Sequence, residues 1–111
     1  MISDDEMTMI ERMDAGETVV LNMNRHHRAK QHAIAMGIYQ PIDRRTEWGN
    51  PFVIPADGDR DAVCEKYAAY LMQNESLMTK IHRLKGLALA CHCHPLRCHG
   101  DHLKQIADLI K

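Results

Sequence analysis

Long apolar runs are missing from this chain. No stretch approaches the ~18–20 consecutive apolar residues that span a bilayer, which excludes a membrane-spanning helix. A strong charge of one sign is missing too. The formal net charge is −1, which argues against bulk attraction to nucleic acid or to an anionic membrane. Aromatic side chains are scarce, with one Trp, three Tyr and one Phe. Eight methionines are expected to take over part of the packing, because Met fills irregular gaps. The glycine-rich fingerprint of a dinucleotide site and the phosphate loop of a nucleoside triphosphatase are both absent. So is the H-x-E…P-C-x-x-C signature of zinc deaminases.

What is present fits one soluble domain over residues 1–111, large enough to bury a core without obligatory cross-links. Charge is unevenly spread. Residues 1–17 hold six acids and one base, and residues 18–111 hold thirteen bases and nine acids. The opening "MISDDEMTMIERM" is too acidic and polar for a signal peptide, so a cytoplasmic location is expected. In a reducing compartment, close cysteines bind metal or do chemistry more often than they form disulfides.

"SDDE" (3–6) reads as a capping box, with Ser3 as N-cap and Glu6 reaching back, opening an acidic N-terminal helix within 1–16 that Gly16 ends. "TVVLNM" (18–23) reads as a buried strand. Residues 24–37 are open between a short basic helix and an ordered loop. "IYQPID" (38–43) reads as a strand that Pro41 moves to an edge or a strand end. "RRTEWGNPFVIPADGD" (44–59) is a long, turn-rich loop, of a length that is usually functional. Helical spacing of Val63, Tyr67, Tyr70 and Leu71 follows from Arg60 to Asn74, then Leu77, Ile81 and Leu84 mark a second helix that Gly86 stops. "LALAC" (87–91) is a short buried strand. A final helix starts near Cys98 with Leu103, Ile106, Ala107 and Ile110 on one face. Alternating strands and helices predict an α/β fold, a short central sheet flanked by helices, with an α/β body over 18–111.

Six of the ten residues of "CHCHPLRCHG" (91–100) are Cys or His. Cys91 and Cys93 sit two apart at a strand end, and Cys98 sits at a helix start, so the three could close around one ion. A Cys₃His set suits zinc. His99, His94, His92 and His102 all compete for the fourth place, and His92 is disfavoured because strand alternation turns it away. The candidate set is Cys91, Cys93 and Cys98 with His99 foremost for a fourth place that stays open, although C-x-C-x₄-C-H matches no standard finger. A second reading keeps the thiols free. Cys98 at a helix N-terminus beside Arg97 is then an activated nucleophile, with His99 or His102 as general base. A third has Cys91 and Cys93 as small buried hydrophobes with solvent-facing histidines. Cys64, on the helix 60–74, reads as a core or half-buried residue.

In "RRTEWGNPF" (44–52), two arginines, an aromatic platform and Asn50 suit a phosphate-bearing planar ligand. The competing reading has Trp48 and Phe52 pinning the loop to the core while the arginines stay solvated.

"WGNPF" (48–52), Arg60 opening a helix with Tyr67, and "LACHCHPLRCHGDHL" (89–103) together resemble the domain of unknown function numbered 4326. The family occurs in bacteria and their phages, and its pattern is a basic stretch, a G-N-P-F loop and a C-x-C-x-P-x-x-C-H-G block. Here Pro95 is the block's proline and Cys98-His99-Gly100 its ending; the likeness spans about residues 38–105. His92 departs from it, since members usually carry an aromatic residue there. The resemblance implies a compact α/β domain with both motifs close in space, and by association a setting in nucleotide or DNA-base metabolism, in the host cytoplasm for a phage-encoded member.

The leading expectation is a small enzyme, a transferase or hydrolase acting on a nucleotide or modified nucleobase. Arg44, Arg45 and Arg60 would hold phosphate, Asn50 would hydrogen-bond the base, and Trp48 would stack or shape the wall. The Cys/His block would carry zinc or a thiolate, with the reaction open between group transfer (methyl transfer, for example) and hydrolysis. The alternative is a non-catalytic, zinc-stapled nucleic-acid-binding module using Arg25, Arg28, Lys30, Arg44 and Arg45 on DNA, against which the overall charge speaks. A third class is docking to a host protein through the acidic helix.

Overall fold

A computed structural model describes residues 4–110. The proposed N-cap Ser3 lies outside the described residues. Helix α1 (Asp4–Asp14) leads through Gly16, at φ 82°, to strand β1 (Val19–Asn22). Residues 24–37 resolve into helix α2 (His27–Met36), followed by β2 (Tyr39–Pro41). After the loop come α3 (Arg60–Gln73), α4 (Glu75–Lys80) and a 3₁₀ turn (Ile81–Leu84), then β3 (Ala88–Cys91) and α5 (His99–Leu109). No helix among the described residues is long and apolar enough to cross a membrane.

The three strands form one parallel sheet in the order β1-β3-β2, with Val19 and Tyr39 both in register with Ala88. Pro41 ends an edge strand, where its missing N–H breaks no ladder. Helices cover both faces, as a parallel sheet requires. On one face Val19, Leu21, Ala88 and Ala90 pack against Met9 and Met13 of α1 and Ala29 and Ala33 of α2. On the other, Val20, Leu89 and Cys91 meet Tyr67 and Leu71 of α3, Leu77, Ile81 and Leu84, and Leu103 and Ala107 of α5. Period-two alternation along "ALAC" therefore sends alanines to the methionine layer and the larger Leu89 and Cys91 to the α3–α5 layer. The buried methionines sit in the first layer, while Met78 is partly buried against the second. Met9, Met13 and Met23 are buried, whereas Met7, Met36 and Met72 are exposed.

Capping explains several helix starts. Asp59 accepts the Ala62 N–H at 2.9 Å, and Asn74 accepts the Leu77 N–H at 3.1 Å, the usual N-cap geometry. Helix α2 has no such cap on its own N-cap residue, His26. Instead Glu6 of α1 reaches across, and its Oε1 accepts the N–H groups of Arg28 at 2.8 Å and Ala29 at 3.2 Å. A carboxylate at a helix N-terminus is stabilised by the helix dipole. The acidic first helix is thus tied to α2.

Leu89 is fully buried at the centre of the sheet. Leu89→Ala is expected to cost about 2–5 kcal/mol of stability, read as a lower urea midpoint with an unchanged slope.

Candidate functional site

Because the sheet is parallel, the carboxyl ends of all three strands lie along one edge, where ligands bind in open α/β sheets. Residues just past each strand meet there. Asn22, closing β1, donates from Nδ2 to the carbonyls of His92 (3.2 Å) and His94 (2.9 Å). Its Oδ1 accepts the Asn24 N–H at 2.9 Å. Asn24 in turn meets His92 Nδ1 at 2.7 Å, and His92 Nε2 meets Asp43, just past β2, at 3.0 Å. Asp43 also takes the Arg45 Nε–H at 2.9 Å. Burial pushes the Asp43 carboxyl up, but the hydrogen bonds from His92 and Arg45 outweigh it and hold the group below its usual range. Strand β3 ends at Cys91, so alternation does not extend to position 92. His92 accordingly comes to the mouth of the site.

The loop after β2 is stapled to itself and to α3. Gly49 folds onto the Asp43–Arg44 backbone, and a methyl group there would lie 2.6 Å from Arg44 Cα. Arg44 donates to the carbonyls of Asn50 (3.1 Å) and Phe52 (3.3 Å). Asn50 accepts the Phe52 N–H at 2.9 Å and donates to the Val63 carbonyl of α3 at 3.1 Å. Trp48 is buried in the α3–α5 layer, and its carbonyl accepts the Tyr67 hydroxyl at 2.8 Å. Trp48 is a core residue, absent from the cavity wall, whereas Asn50 lines the cavity with one amide N–H and its oxygen already engaged on backbone groups.

Between this loop, the start of α3 and the 91–99 segment lies an open cavity of about 630 Å³. Arg44, Arg45, Arg60 and Arg97 line it, with Asp43 and His92, and so do all four cysteines. Asp43 escaped the sequence reading, as did His92 in this role, and Arg97 entered it only as a neighbour of Cys98. Each arginine has donors beyond those spent within the protein: Arg60 gives one N–H to the Arg97 carbonyl, and Arg97 gives one to Asp61, out of about five per guanidinium. A hydrogen bond to Cys93 pushes the Arg60 guanidinium further up.

On the cavity floor Cys91 Sγ and Cys98 Sγ are 3.3 Å apart. Cys98, expected at the start of the last helix, is the N-cap of α5 and closes a capping box with Asp101. The pair shares a proton unequally. The hydrogen bond with Cys98, aided by the His94 and Cys93 N–H groups, pulls the Cys91 thiol down against its burial. Cys98 is pushed up as the donor, by that same bond and by burial. Cys64 is buried with its thiol also raised, chiefly by burial.

The expected metal ligands come together only in part. His99 lines the cavity, but its Nε2 sits 2.6 Å from the Ile42 carbonyl and its ring lies edge-on to Tyr67. Among the described residues no group of three or more Cys, His, Asp or Glu is placed to hold a metal ion. Thiolate donors suit zinc chemically, yet only Cys91 and Cys98 of the set are in contact. His102 faces a different depression, against Cys64, Arg97 and Cys98, with its Nε2 buried and unpartnered.

The profile of the family described as Domain of unknown function (DUF4326) matches residues 23–109. The chain belongs to this family. The DUF4326 match covers α2 through α5 and both motifs, which the fold brings to one cavity. Uncharacterized protein R718 of Acanthamoeba polyphaga mimivirus is 35% identical over 74 residues, covering 60% of this chain and 56% of that protein. The Uncharacterized 12.4 kDa protein in nrdA-td intergenic region of Enterobacteria phage T4 is 35% identical over 73 residues, covering 62% of this chain and 67% of that protein. The match thus spans little more than half the length of the mimiviral relative. No solved structure matches.

Two outcomes follow from this geometry. Gly49→Ala must push the loop off the Arg44 backbone, at a cost of about 1–3 kcal/mol, measured by urea unfolding. Protonation is the second. Burial is the main cause that lowers His26, His99 and His102 below their ordinary value of 6.5. The unfolded chain then takes up protons that the folded chain refuses. Their contribution to stability is full above 6.5 and lost as pH falls beneath it toward the folded values. The melting temperature should therefore drop between roughly pH 7.5 and pH 5, and His99→Gln should narrow the drop.

Proposed function

We propose that this chain is an enzyme acting on a nucleotide or modified nucleobase, bound at the carboxyl edge of the sheet. One observation carries the reading: four arginines with donors to spare surround a cavity whose floor is a thiol in contact with a second thiol. Guanidinium groups recognise phosphate through paired N–H donors. Arg60 and Arg97, on the α3 and 91–99 sides, would take the phosphate. Arg45, oriented by Asp43, would close the opposite rim.

Cys91 is the group suited to attack an electrophilic carbon of the base or of a transferable group. Thiolate is the reactive form of cysteine, and the contact with Cys98 favours it at Cys91 by lowering that thiol. Cys98, in contact with it, is the proton donor that a departing or newly formed anion needs. This shifts the nucleophile from Cys98, favoured by its helix position alone, to its partner. Asn50 and Trp48 act by holding the loop that carries Arg44 and Arg45. Group transfer through Cys91 in the cytoplasm is the reaction class this arrangement serves best.

Calorimetric titration with nucleoside 5′-monophosphates tests the reading. Monophosphates should bind more tightly than the matching nucleosides. Arg60→Ala should weaken them roughly tenfold or more without lowering the melting temperature. Metal analysis with a thiol count belongs beside it, and should find four titratable thiols. One zinc per chain with Cys91, Cys93 and Cys98 protected would remove the thiolate role. Salt-dependent binding to random-sequence DNA, with no affinity for any monophosphate, would replace the enzyme with a nucleic-acid-binding module.

A further inference from the structure

We propose that Cys91 and Cys98 form a reversible disulfide, a peroxide-sensitive modification site on the cavity floor. The two sulfurs lie 3.3 Å apart, and a disulfide needs ~2.0 Å. Only a small approach separates the dithiol from the bond. The elements that carry them favour that approach. Cys91 ends the central strand and Cys98 caps α5, so both backbones are held by regular structure while the turn between them closes the loop. Both residues are buried, at 2% and 4% exposure, but they border the open cavity, the side from which a small oxidant would approach.

The chemistry balances with a hydroperoxide as oxidant. The Cys91 sulfur attacks one peroxide oxygen, the O–O bond breaks, and hydroxide leaves, giving a sulfenic acid on Cys91. Cys98 gives its proton to the departing hydroxide and attacks the Cys91 sulfur. The S–O bond breaks and a second hydroxide leaves, becoming water with the proton that Cys91 released to solvent on ionising. Two thiols and one hydrogen peroxide thus become one disulfide and two waters. A low-molecular-weight dithiol reverses the bond by exchange. Arg60, which also faces this floor, favours the anionic sulfur that starts the sequence.

Oxidation would remove the nucleophile and take the Cys98 sulfur away from the backbone it caps. The effect on catalysis rests on the nucleotide-site reading; the disulfide itself does not. The inference therefore deepens that reading while remaining separately testable.

The test is peptide mapping of the whole, untagged chain after stoichiometric hydrogen peroxide and quenching with an alkylating agent. Trypsin cleaves after Lys85, Arg97 and Lys104, placing Cys91 and Cys98 in the peptides 86–97 and 98–104. The expected result is intact mass lower by two hydrogens and a linked 86–97/98–104 pair, both reversed by dithiothreitol. Cys93→Ser should keep the link and Cys91→Ser should lose it. Oxygen addition to Cys91 without any linked pair would overturn the proposal, and so would a link that survives Cys91→Ser. Should Cys91→Ser not fold, the same assignment is read in the wild type by fragmenting the linked pair to place the bond at 91 or 93. Titrating the oxidised chain with a nucleoside monophosphate then separates the two ideas. A disulfide in a protein that binds no monophosphate in either state keeps this inference and ends the nucleotide reading.

Discussion

Insertion of β3 between β1 and β2, parallel to both, is the constraint on which the other features depend. Parallel neighbours cannot be joined by a tight hairpin, so each connection must travel back across a face and brings helices with it. That places α2 over one side and α3 and α4 over the other, where α1, before β1, and α5, after β3, join them. It also delivers three chain ends to the same edge. Asn22, Asp43 and His92 are far apart in sequence, and only this strand order lets them share the Asn24–His92–Asp43 chain of hydrogen bonds. An antiparallel β2 would send Asp43 and the arginines after it to the opposite edge, away from the cysteines.

The same edge shows how a binding loop is made rigid without regular structure. Between β2 and α3 the backbone groups find partners in side chains: Arg44 on two carbonyls, Asn50 on one N–H and one carbonyl, Tyr67 on the Trp48 carbonyl. Gly49 lets the two ends of this turn touch. Such a loop gives up its most conspicuous residues to its own construction. What the loop turns to the cavity is Arg44 and Arg45 beside Asn50 and the apolar side chains of Phe52, Val53 and Ile54, so charge and apolar surface meet on one wall.

Much of the fold was legible because its signals are local. The β-branched run at 18–20, the apolar spacing of Val63, Tyr67 and Leu71, and the stripe of Leu103, Ile106, Ala107 and Ile110 each report burial within one element. Pro41 announced an edge, and Cys98 announced a helix start. Non-local pairings were not legible. Nothing in "SDDE" tells that Glu6 caps α2 rather than serving α1 alone, since the partner N–H groups lie 22 and 23 residues away. Nor does alternation reveal that His92 turns to Asp43, because the strand that would carry the alternation stops at Cys91. The cavity's lining by Cys64 and Arg97 is of the same kind. Single residues on a helix and a turn gain meaning only when α3 is docked. Asn50 and Trp48 were visible as unusual, and their type did not separate a ligand contact from a loop staple.

Capping alone does not account for cysteine at position 98. Serine, aspartate and asparagine serve an N-cap better, because their oxygens accept the first-turn N–H groups more strongly than sulfur does. What cysteine adds is a large, polarizable atom that reaches Cys91, and the residue two places on makes that reach possible. A side chain at Gly100 would meet Ile42 Cδ1 at 2.7 Å and both Val20 Cγ1 and Cys98 Sγ at 3.3 Å. Glycine therefore lets the first turn of α5 rest directly on the sheet, with its N-cap over the end of β3. The "CHG" that closes the block is then one device in three parts: a cap whose sulfur also meets Cys91, a histidine tied by its Nε2 to the carbonyl after β2, and a gap that lets helix and strand touch. The thiol contact is a consequence of how closely α5 is seated, which makes the geometry of the sulfur pair inseparable from the packing of the fold.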